Sequence, residues 1–158
     1  VYGIFSLLDA DPTTSGFVMW HLYQRLQWNA DITYEEYYAY FVANKNIPCD
    51  EKPFEMIICS EEKDAADNYI FENAQKYDLV ITKDIVFADR LIQKEIKVIN
   101  DRGTVFTKEN IKELLSERNF DFELAQIGLV KHYNEGYDKK KFSAFANCFD
   151  KIIHTSAD

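Results

Sequence analysis

Short apolar segments alternate with stretches of helical spacing along the chain up to Asn100. Each apolar segment ends at a polar residue, which is typical of a buried strand followed by a turn. The predicted strands are Ile4–Leu8, Tyr38–Ala43, Phe54–Ser60, Leu79–Thr82 and Lys97–Asn100. Helices are predicted from Phe17 to about Gln27, over residues 61–77, and after Asp84. Strands that alternate with helices in this way indicate β-α-β units and a mainly parallel sheet.

The pattern changes after Asn100, and the rest of the chain reads as helical. The segment "DRG" (Asp101 to Gly103) predicts a turn. Two apolar stripes with helical spacing follow it: Ile111, Leu114 and Leu115, then Phe142, Phe145, Phe149 and Ile152. The expected fold is therefore α/β. We predict a single three-layer domain over residues 1–158, with a mostly parallel central sheet of about five strands and a helical C-terminal third.

Polar side chains stand at the carboxyl ends of the predicted strands. In a parallel sheet, ligands bind beyond those ends, where the strand order reverses. The residues found there are Asp9, Asn44, Ser60, Thr82 with Asp84, and Asn100. Carboxylates that converge on one edge repel each other unless a proton or a cation lies among them, and a cation is the expected occupant.

The candidate carboxylates also have structural interpretations. Asp11 fits a turn residue before Pro12. Asp64 and Asp67 fit the first turn of a helix, where the macrodipole favours negative charge. Asp84 fits an N-cap, yet its position directly after a predicted strand makes it the most specific of these signals.

The net charge of −9 restricts the ways in which this protein can bind nucleic acid. Proteins that grip a polyanion unaided are usually basic on at least one face. A nucleic-acid role therefore requires divalent cations or a local basic patch. The only dense basic run is "DKKKF" (Asp138 to Phe142), which fits a solvated helix face better than a binding site.

Other features exclude several classes of protein. The composition, 47% hydrophobic and 28% charged, is that of a folded globular chain. No signal peptide and no apolar run of the roughly 18 residues that span a bilayer are visible, so no membrane role is expected. Three widely spaced cysteines indicate a reducing cytoplasm rather than a disulfide framework. Metal-binding histidine motifs, P-loops, glycine-rich dinucleotide motifs and Ser or Cys triads are absent from the sequence.

Several motifs, taken in order, resemble the YaiI/YqxD family of uncharacterised bacterial proteins. They are "LLDADP", "FVANKN", "DAADNYI", "DLVITKDIVFADRLI", "VINDRGTVFTKENI" and "FSAFANCFDKI". That family is similar in fold to the PIN and NYN domains, which are compact metal-dependent nucleases. The resemblance is strongest from Asp64 to Ile111. Two departures occur near the start: the usual "DADACPV" is replaced by "DADPTTSG", and the interval before "VAN" is longer.

The resemblance implies a set of site residues. The catalytic carboxylates that it implies are Asp9, Asp67 and Asp84. The implied metal ligands for Mg²⁺ or Mn²⁺ are Asp9, Asp11, Asp64, Asp67 and Asp84. The implied substrate-binding residues are Lys83, Asn100 and Arg102. The implied partner is RNA or DNA, bound through the metal.

Three functions remain open at this point. The first is a metal-dependent nuclease. The second is a non-catalytic protein that keeps the acidic edge as a metal or partner site. The third is a phosphatase of the haloacid-dehalogenase kind, because "LLDADPT" also fits the DxDxT signature, with Asp9 as nucleophile and Asp11 as acid/base.

Overall fold

The computed structural model describes residues 2–7, 18, 37–44, 54–129 and 137–155. Within these ranges lie six strands and four helices. The strands are β1 (Tyr2–Leu7), β2 (Tyr37–Ala43), β3 (Phe54–Ile58), β4 (Leu79–Ile81), β5 (Lys97–Ile99) and β6 (Val105–Phe106). The helices are α1 (Ala65–Asn73), α2 (Ile85–Gln93), α3 (Ile111–Gln126) and α4 (Lys139–Thr155). Of these helices, none is long and apolar enough to cross a membrane.

The six strands form one sheet in the order β3-β2-β1-β4-β5-β6. The first five strands run parallel, and β6 alone is antiparallel to its neighbour. In β1, Ser6 lies between Phe41 of β2 and Ile81 of β4. The chain thus builds outwards in one direction from β1 to β3 and in the other from β4 to β6. The strand order reverses between β1 and β4, and the predicted parallel sheet is confirmed.

Side chains of successive strand residues point to opposite faces, and each face has its own core. One core contains Ile4 and Ile81 together with Phe145 and Phe149 of α4. The other core contains Phe5, Val80, Ile70, Phe87, Leu91 and Ile111, which join the sheet to α1, α2 and α3. Helices therefore cover both faces of the sheet, and the three-layer architecture is confirmed.

The prediction of a purely helical chain after Asn100 is wrong at one point. Val105 and Phe106 form β6, which pairs with β5. A two-residue strand is too short to show a periodic pattern in the sequence. Its antiparallel pairing with β5 depends on the turn that folds the chain back. The predicted first helix lies outside the described residues except for Val18, which is helical and buried.

Asn110 protects the edge of the sheet at β6. Its Oδ1 accepts from the Thr107 backbone N–H at 2.8 Å, and its Nδ2 donates to the Val105 carbonyl at 2.8 Å. In return, the Asn110 backbone N–H donates to Thr107 Oγ1 at 3.2 Å. The same side chain therefore ties the segment before α3 to β6 and occupies a backbone carbonyl that an edge strand would otherwise expose.

The turn after β5 packs directly against α4. Gly103 has φ +88°, and a Cβ there would lie 2.5 Å from the carbonyl oxygen of Ala144. Tyr137, just before α4, donates from its hydroxyl to the Asp101 carbonyl at 2.6 Å. These contacts hold the carboxyl end of β5 against the helix on the other face.

The close approach at Gly103 leads to a stability prediction. Gly103→Ala should be markedly less stable than Gly128→Ala, although both glycines have positive φ (+88° and +76°). Both substitutions incur about 1–2 kcal/mol for the left-handed backbone. Only the first adds a steric clash, worth about 1–3 kcal/mol, because no atom of the described residues lies within 4 Å of a Cβ at Gly128. Urea unfolding measures both, and equal losses would contradict the contact with Ala144.

Candidate functional site

Two helices begin at the carboxyl edge of the parallel strands, close to the reversal of strand order. α1 follows β3, and α2 follows β4 after only three residues. Asn44, the residue after β2, donates from Nδ2 to the Glu62 carbonyl at 3.1 Å. This bond ties the segment before α1 to the end of β2, which is the strand next to β1. The amino termini of α1 and α2 are thus brought to the same edge.

Asp84 is the N-cap of α2. Its Oδ1 accepts hydrogen bonds from the backbone N–H groups of Val86 at 3.0 Å and Phe87 at 3.2 Å. Thr82, which is buried, orients this cap because its Oγ1 accepts from the Asp84 N–H at 3.1 Å. The structural interpretation of Asp84 is therefore correct, but it uses one carboxylate oxygen. Within the described ranges, Oδ2 accepts no hydrogen bond.

Asp64 occupies the N-cap position of α1 without acting as a cap. Its side chain makes no capping hydrogen bond, and its backbone is left-handed at φ +64°. Aspartate tolerates this conformation better than most residues. The carboxylate is exposed and performs no function for the helix that it precedes.

Asp67, in the first turn of α1, has a half-buried carboxyl whose pKa is raised above its usual range. Loss of hydration on burial is the largest cause of the raised pKa, and the negative charges of Asp84 and Asp64 follow. The positive charge of Arg90 and a hydrogen bond from backbone N–H act in the opposite direction. The charges of Asp84 and Asp64 therefore act on the Asp67 carboxyl in the same direction as its burial.

Cations lie further along the contact between α1 and α2. The Phe71 ring has the Arg90 guanidinium carbon 4.4 Å from its centroid and Lys94 Nζ at the same distance. Lys94 Nζ also donates to the Phe71 carbonyl near the carboxyl end of α1. A cation is stabilising there, since the last carbonyls of a helix carry partial negative charge. The contact between the helices is thus acidic at its start and basic further along.

The remaining predicted residues are placed as follows. Asp9 and Asp11 lie outside the described residues. Lys83 is exposed beside Asp84. Asn100 Oδ1 accepts from the N–H groups of Arg102 at 3.0 Å and Thr104 at 2.8 Å, so this side chain builds its own turn.

Arg102 itself is exposed, with Nε 4.0 Å from a carboxylate oxygen of Asp101. Among the described residues, no group of three His, Cys, Asp or Glu side chains is arranged to hold a metal ion. The part of the predicted site that the structure describes is therefore an acidic edge built from Asp64, Asp67 and Asp84.

Sequence reasoning missed two residues that shape this edge. Thr82 was recognised only as a strand end, although its buried hydroxyl fixes the position of Asp84. Arg90 was not singled out, because its proximity to Asp67 follows from the packing of α1 against α2. A Thr two residues before an N-cap can be recognised in the sequence, whereas no sequence pattern identifies Arg90 as a neighbour of Asp67.

Comparison with known proteins gives a consistent result. Residues 30–155 match the family model described as "Uncharacterized BCR, YaiI/YqxD family". The chain is 42% identical to a UPF0178 protein of Treponema denticola over 113 residues, covering 72% of each chain. It is 34% identical to a UPF0178 protein of Marinomonas sp. over 146 residues, covering 92% of each. No solved structure matches, and the predicted likeness to PIN and NYN domains stays a prediction.

The raised pKa of Asp67 predicts a pH-dependent stability effect. A carboxyl whose pKa is higher in the folded than in the unfolded state binds more protons when folded, so its charge destabilises the fold as pH rises. We expect metal-free Asp67→Asn to have a higher free energy of unfolding than wild type at pH 7. The gain should shrink as pH falls through the folded pKa and vanish below the ordinary value of 3.8. Chemical denaturation across that pH range measures it.

The matched control is Asp89→Asn on α2, where Oδ1 accepts from Gln93 Nε2 at 3.4 Å and from no other described residue. It should show no such pH-dependent gain. A loss of stability in Asp67→Asn at pH 7, or a gain that does not depend on pH, would contradict the raised pKa of Asp67.

The two polar residues of the turn after β5 should differ in their effect on stability. Asn100→Ala removes the acceptor for two backbone N–H groups and should cost about 1–2 kcal/mol. Arg102→Ala removes an exposed side chain and should change stability by less than about 0.5 kcal/mol. Urea unfolding of the two variants separates these values. Similar losses would show that the turn does not depend on the Asn100 side chain.

Proposed function

Because the chain belongs to the YaiI/YqxD family, whose description names no reaction, we propose a function from the site itself: divalent-cation-dependent hydrolysis of phosphodiester bonds in RNA or DNA. The proposed site is the acidic edge at the carboxyl ends of β1 and β4. Its carboxylates are Asp64, Asp67 and Asp84, joined in this proposal by Asp9 and Asp11.

The observation that carries the proposal is that α1 and α2 begin at the same edge of the sheet, with Asp64 and Asp67 at the start of one helix and Asp84 at the start of the other. The raised pKa of Asp67, caused first by burial and then by the charges of Asp84 and Asp64, supports this arrangement, since the position favours added positive charge. A proton or a cation relieves the same repulsion. Near neutral pH a divalent cation is the more effective occupant, since it attracts several carboxylates at once while a proton neutralises one.

The donor set fits the metal that the resemblance implies. Mg²⁺ and Mn²⁺ prefer oxygen ligands and are held in many phosphate-processing sites by only one or two carboxylates. Asp84 offers Oδ2, since its capping bonds use Oδ1 alone. The Asp64 side chain makes no capping hydrogen bond. Asp9 follows β1, the strand that pairs with β4, and we assign it to the same cation.

A bound divalent cation would supply the positive charge that a phosphodiester group needs in order to approach an acidic edge. The chain's own contributions are distinct. Asp67 and Asp84 hold negative charge at fixed positions, on helices whose amino termini are anchored to the sheet. Lys83 and Arg102 are exposed at strand ends and serve to offset the charge of flanking phosphates. Asn100 supports Arg102 by shaping its turn.

One observation favours a second function, a non-catalytic protein that binds a metal or a partner at this edge. Asp84 is already engaged as an N-cap, and the described residues alone contain no three-ligand group. Such a protein would bind the cation without cleaving nucleic acid. The two functions differ in activity and agree in metal binding, so one set of variants tests both.

The test measures Mn²⁺ binding by calorimetry and Mn²⁺-dependent cleavage of end-labelled single-stranded RNA and DNA. Asp84→Asn keeps an N-cap acceptor and should fold normally, since Asn caps helices as well as Asp does. Loss of a charged ligand should weaken Mn²⁺ binding in Asp67→Asn and Asp84→Asn, and lower cleavage by about two orders of magnitude. Asp89→Asn should match wild type in both assays.

The outcomes separate the proposals. Mn²⁺ binding that is lost in both variants, without cleavage by wild type, favours the non-catalytic function. Hydrolysis of a small aryl phosphate that Asp9→Asn abolishes would instead support the phosphatase. Wild type that binds no Mn²⁺ would overturn the metal site itself.

A further inference from the structure

The second half of α3 and the turn after it are mostly exposed. Of the sixteen residues of α3 only Ile111 is buried, at its first turn. Further along, four large apolar side chains are mostly exposed: Phe120 (60%), Phe122 (55%), Ile127 (69%) and Leu129 (71%). We call residues 117–129 the distal segment of α3. A concentration of apolar side chains like this on a protein surface usually marks an interaction site.

The distal segment is acidic as well as apolar. Glu117, Asp121 and Glu123 are all exposed, and none of them makes an ion pair within the described ranges. The segment's one basic residue, Arg118, donates to the neighbouring Asn119 at 3.1 Å. A partner that covers this surface must therefore combine apolar contact with positive charge.

The same chain carries the positive charge that such a partner needs at the start of α4. Lys139 and Lys140 are exposed in the first turn, where the helix dipole disfavours cations. Neither forms an ion pair within the described part of the chain. Asp138 offsets the dipole only in part, by accepting from the Lys141 N–H at 2.9 Å. Lys139 and Lys140 thus present exposed positive charge at the start of α4.

We propose that the distal segment of α3 in one copy of this chain docks on the start of α4 in a second copy, forming a two-fold symmetric dimer. In such a dimer the two contacts are identical, because each copy contributes both surfaces. Each copy contributes four mostly exposed large apolar side chains, so eight would be buried in the dimer. They contribute to the roughly 1,000 Å² of buried surface that a stable interface requires. The complementary charges set the register of the two copies.

A second copy suits this surface better than an unrelated protein, since both complementary surfaces are present on one chain. The proposal does not depend on the acidic edge or on its chemistry. The strand order places that edge at the ends of β1 and β4, whereas the dimer uses α3 and α4.

The first experiment measures the mass of the full chain in solution by sedimentation equilibrium over a range of micromolar concentrations. Wild type should sediment as a dimer. Phe120→Ser combined with Leu129→Ser should be monomeric and still folded, because both side chains are exposed. The matched control combines Ile58→Ser with Val105→Ser, which are also exposed apolar residues but lie on the outer strands of the sheet. The control should stay dimeric.

The second experiment exchanges charges across the proposed contact. K139E/K140E and E117K/E123K should each raise the dimer dissociation constant by about tenfold, since like charges replace opposite ones at two symmetry-related contacts. The four substitutions combined should restore dimerisation close to that of wild type. The matched control is K97E/K108E, which changes the net charge as much as K139E/K140E but at exposed residues outside α3 and α4. It should have little effect on the dimer dissociation constant.

Each alternative outcome overturns the proposal. A wild type that is monomeric throughout leaves the distal segment to a different partner. A dimer that survives the Phe120 and Leu129 substitutions, or is broken by the control pair, lies on another surface. A dimer that tolerates both charge reversals, or is not restored when they are combined, does not pair α3 with α4.

Discussion

The parallel pairing of β1 on both of its sides is the constraint on which the rest of the structure depends. β1 hydrogen-bonds to β2 on one side and to β4 on the other, so the chain must grow outwards in two directions. Because the five strands from β3 to β5 in the sheet order are parallel, the connections to α1 and α2 both leave from the same edge. The positions of Asp64, Asp67 and Asp84 near that edge follow from this pairing.

Helix amino termini and carboxylates at one edge create a conflict that the fold does not resolve completely. Backbone N–H groups at the start of a helix favour one nearby anion, and Asp84 supplies it for α2. Burial raises the pKa of the half-buried Asp67 carboxyl most, and the negative charges of Asp84 and Asp64 raise it further. Asp64 caps nothing, so helix stability does not account for its charge. In the function proposed above, this excess negative charge is what binds the divalent cation.

The sequence predicts the parts of this fold that depend on local periodicity. The five parallel strands and α1 to α4 are recognised from apolar runs and helical spacing, and their boundaries differ from the structure by a few residues. The carboxyl edge is also predictable, since it follows from parallel strands alone. β6 is not, because two residues carry no period. The roles of Asn100 and Arg90 are not predictable either, since a turn hydrogen bond and a contact between two helices depend on tertiary structure.

Departures from local rules are informative where nothing in the fold compensates for them. Lys94 obeys the rules, because a cation near the end of α1 is stabilised by the last carbonyls of that helix. Lys139 and Lys140 break them at the start of α4, and the exposed apolar side chains of α3 break them in a different way. Each departure alone lowers the stability of the domain. The carboxylates beside those apolar side chains, Glu117, Asp121 and Glu123, are opposite in charge to Lys139 and Lys140. In the dimer proposed above, one contact between two copies would bury the apolar side chains and pair these charges.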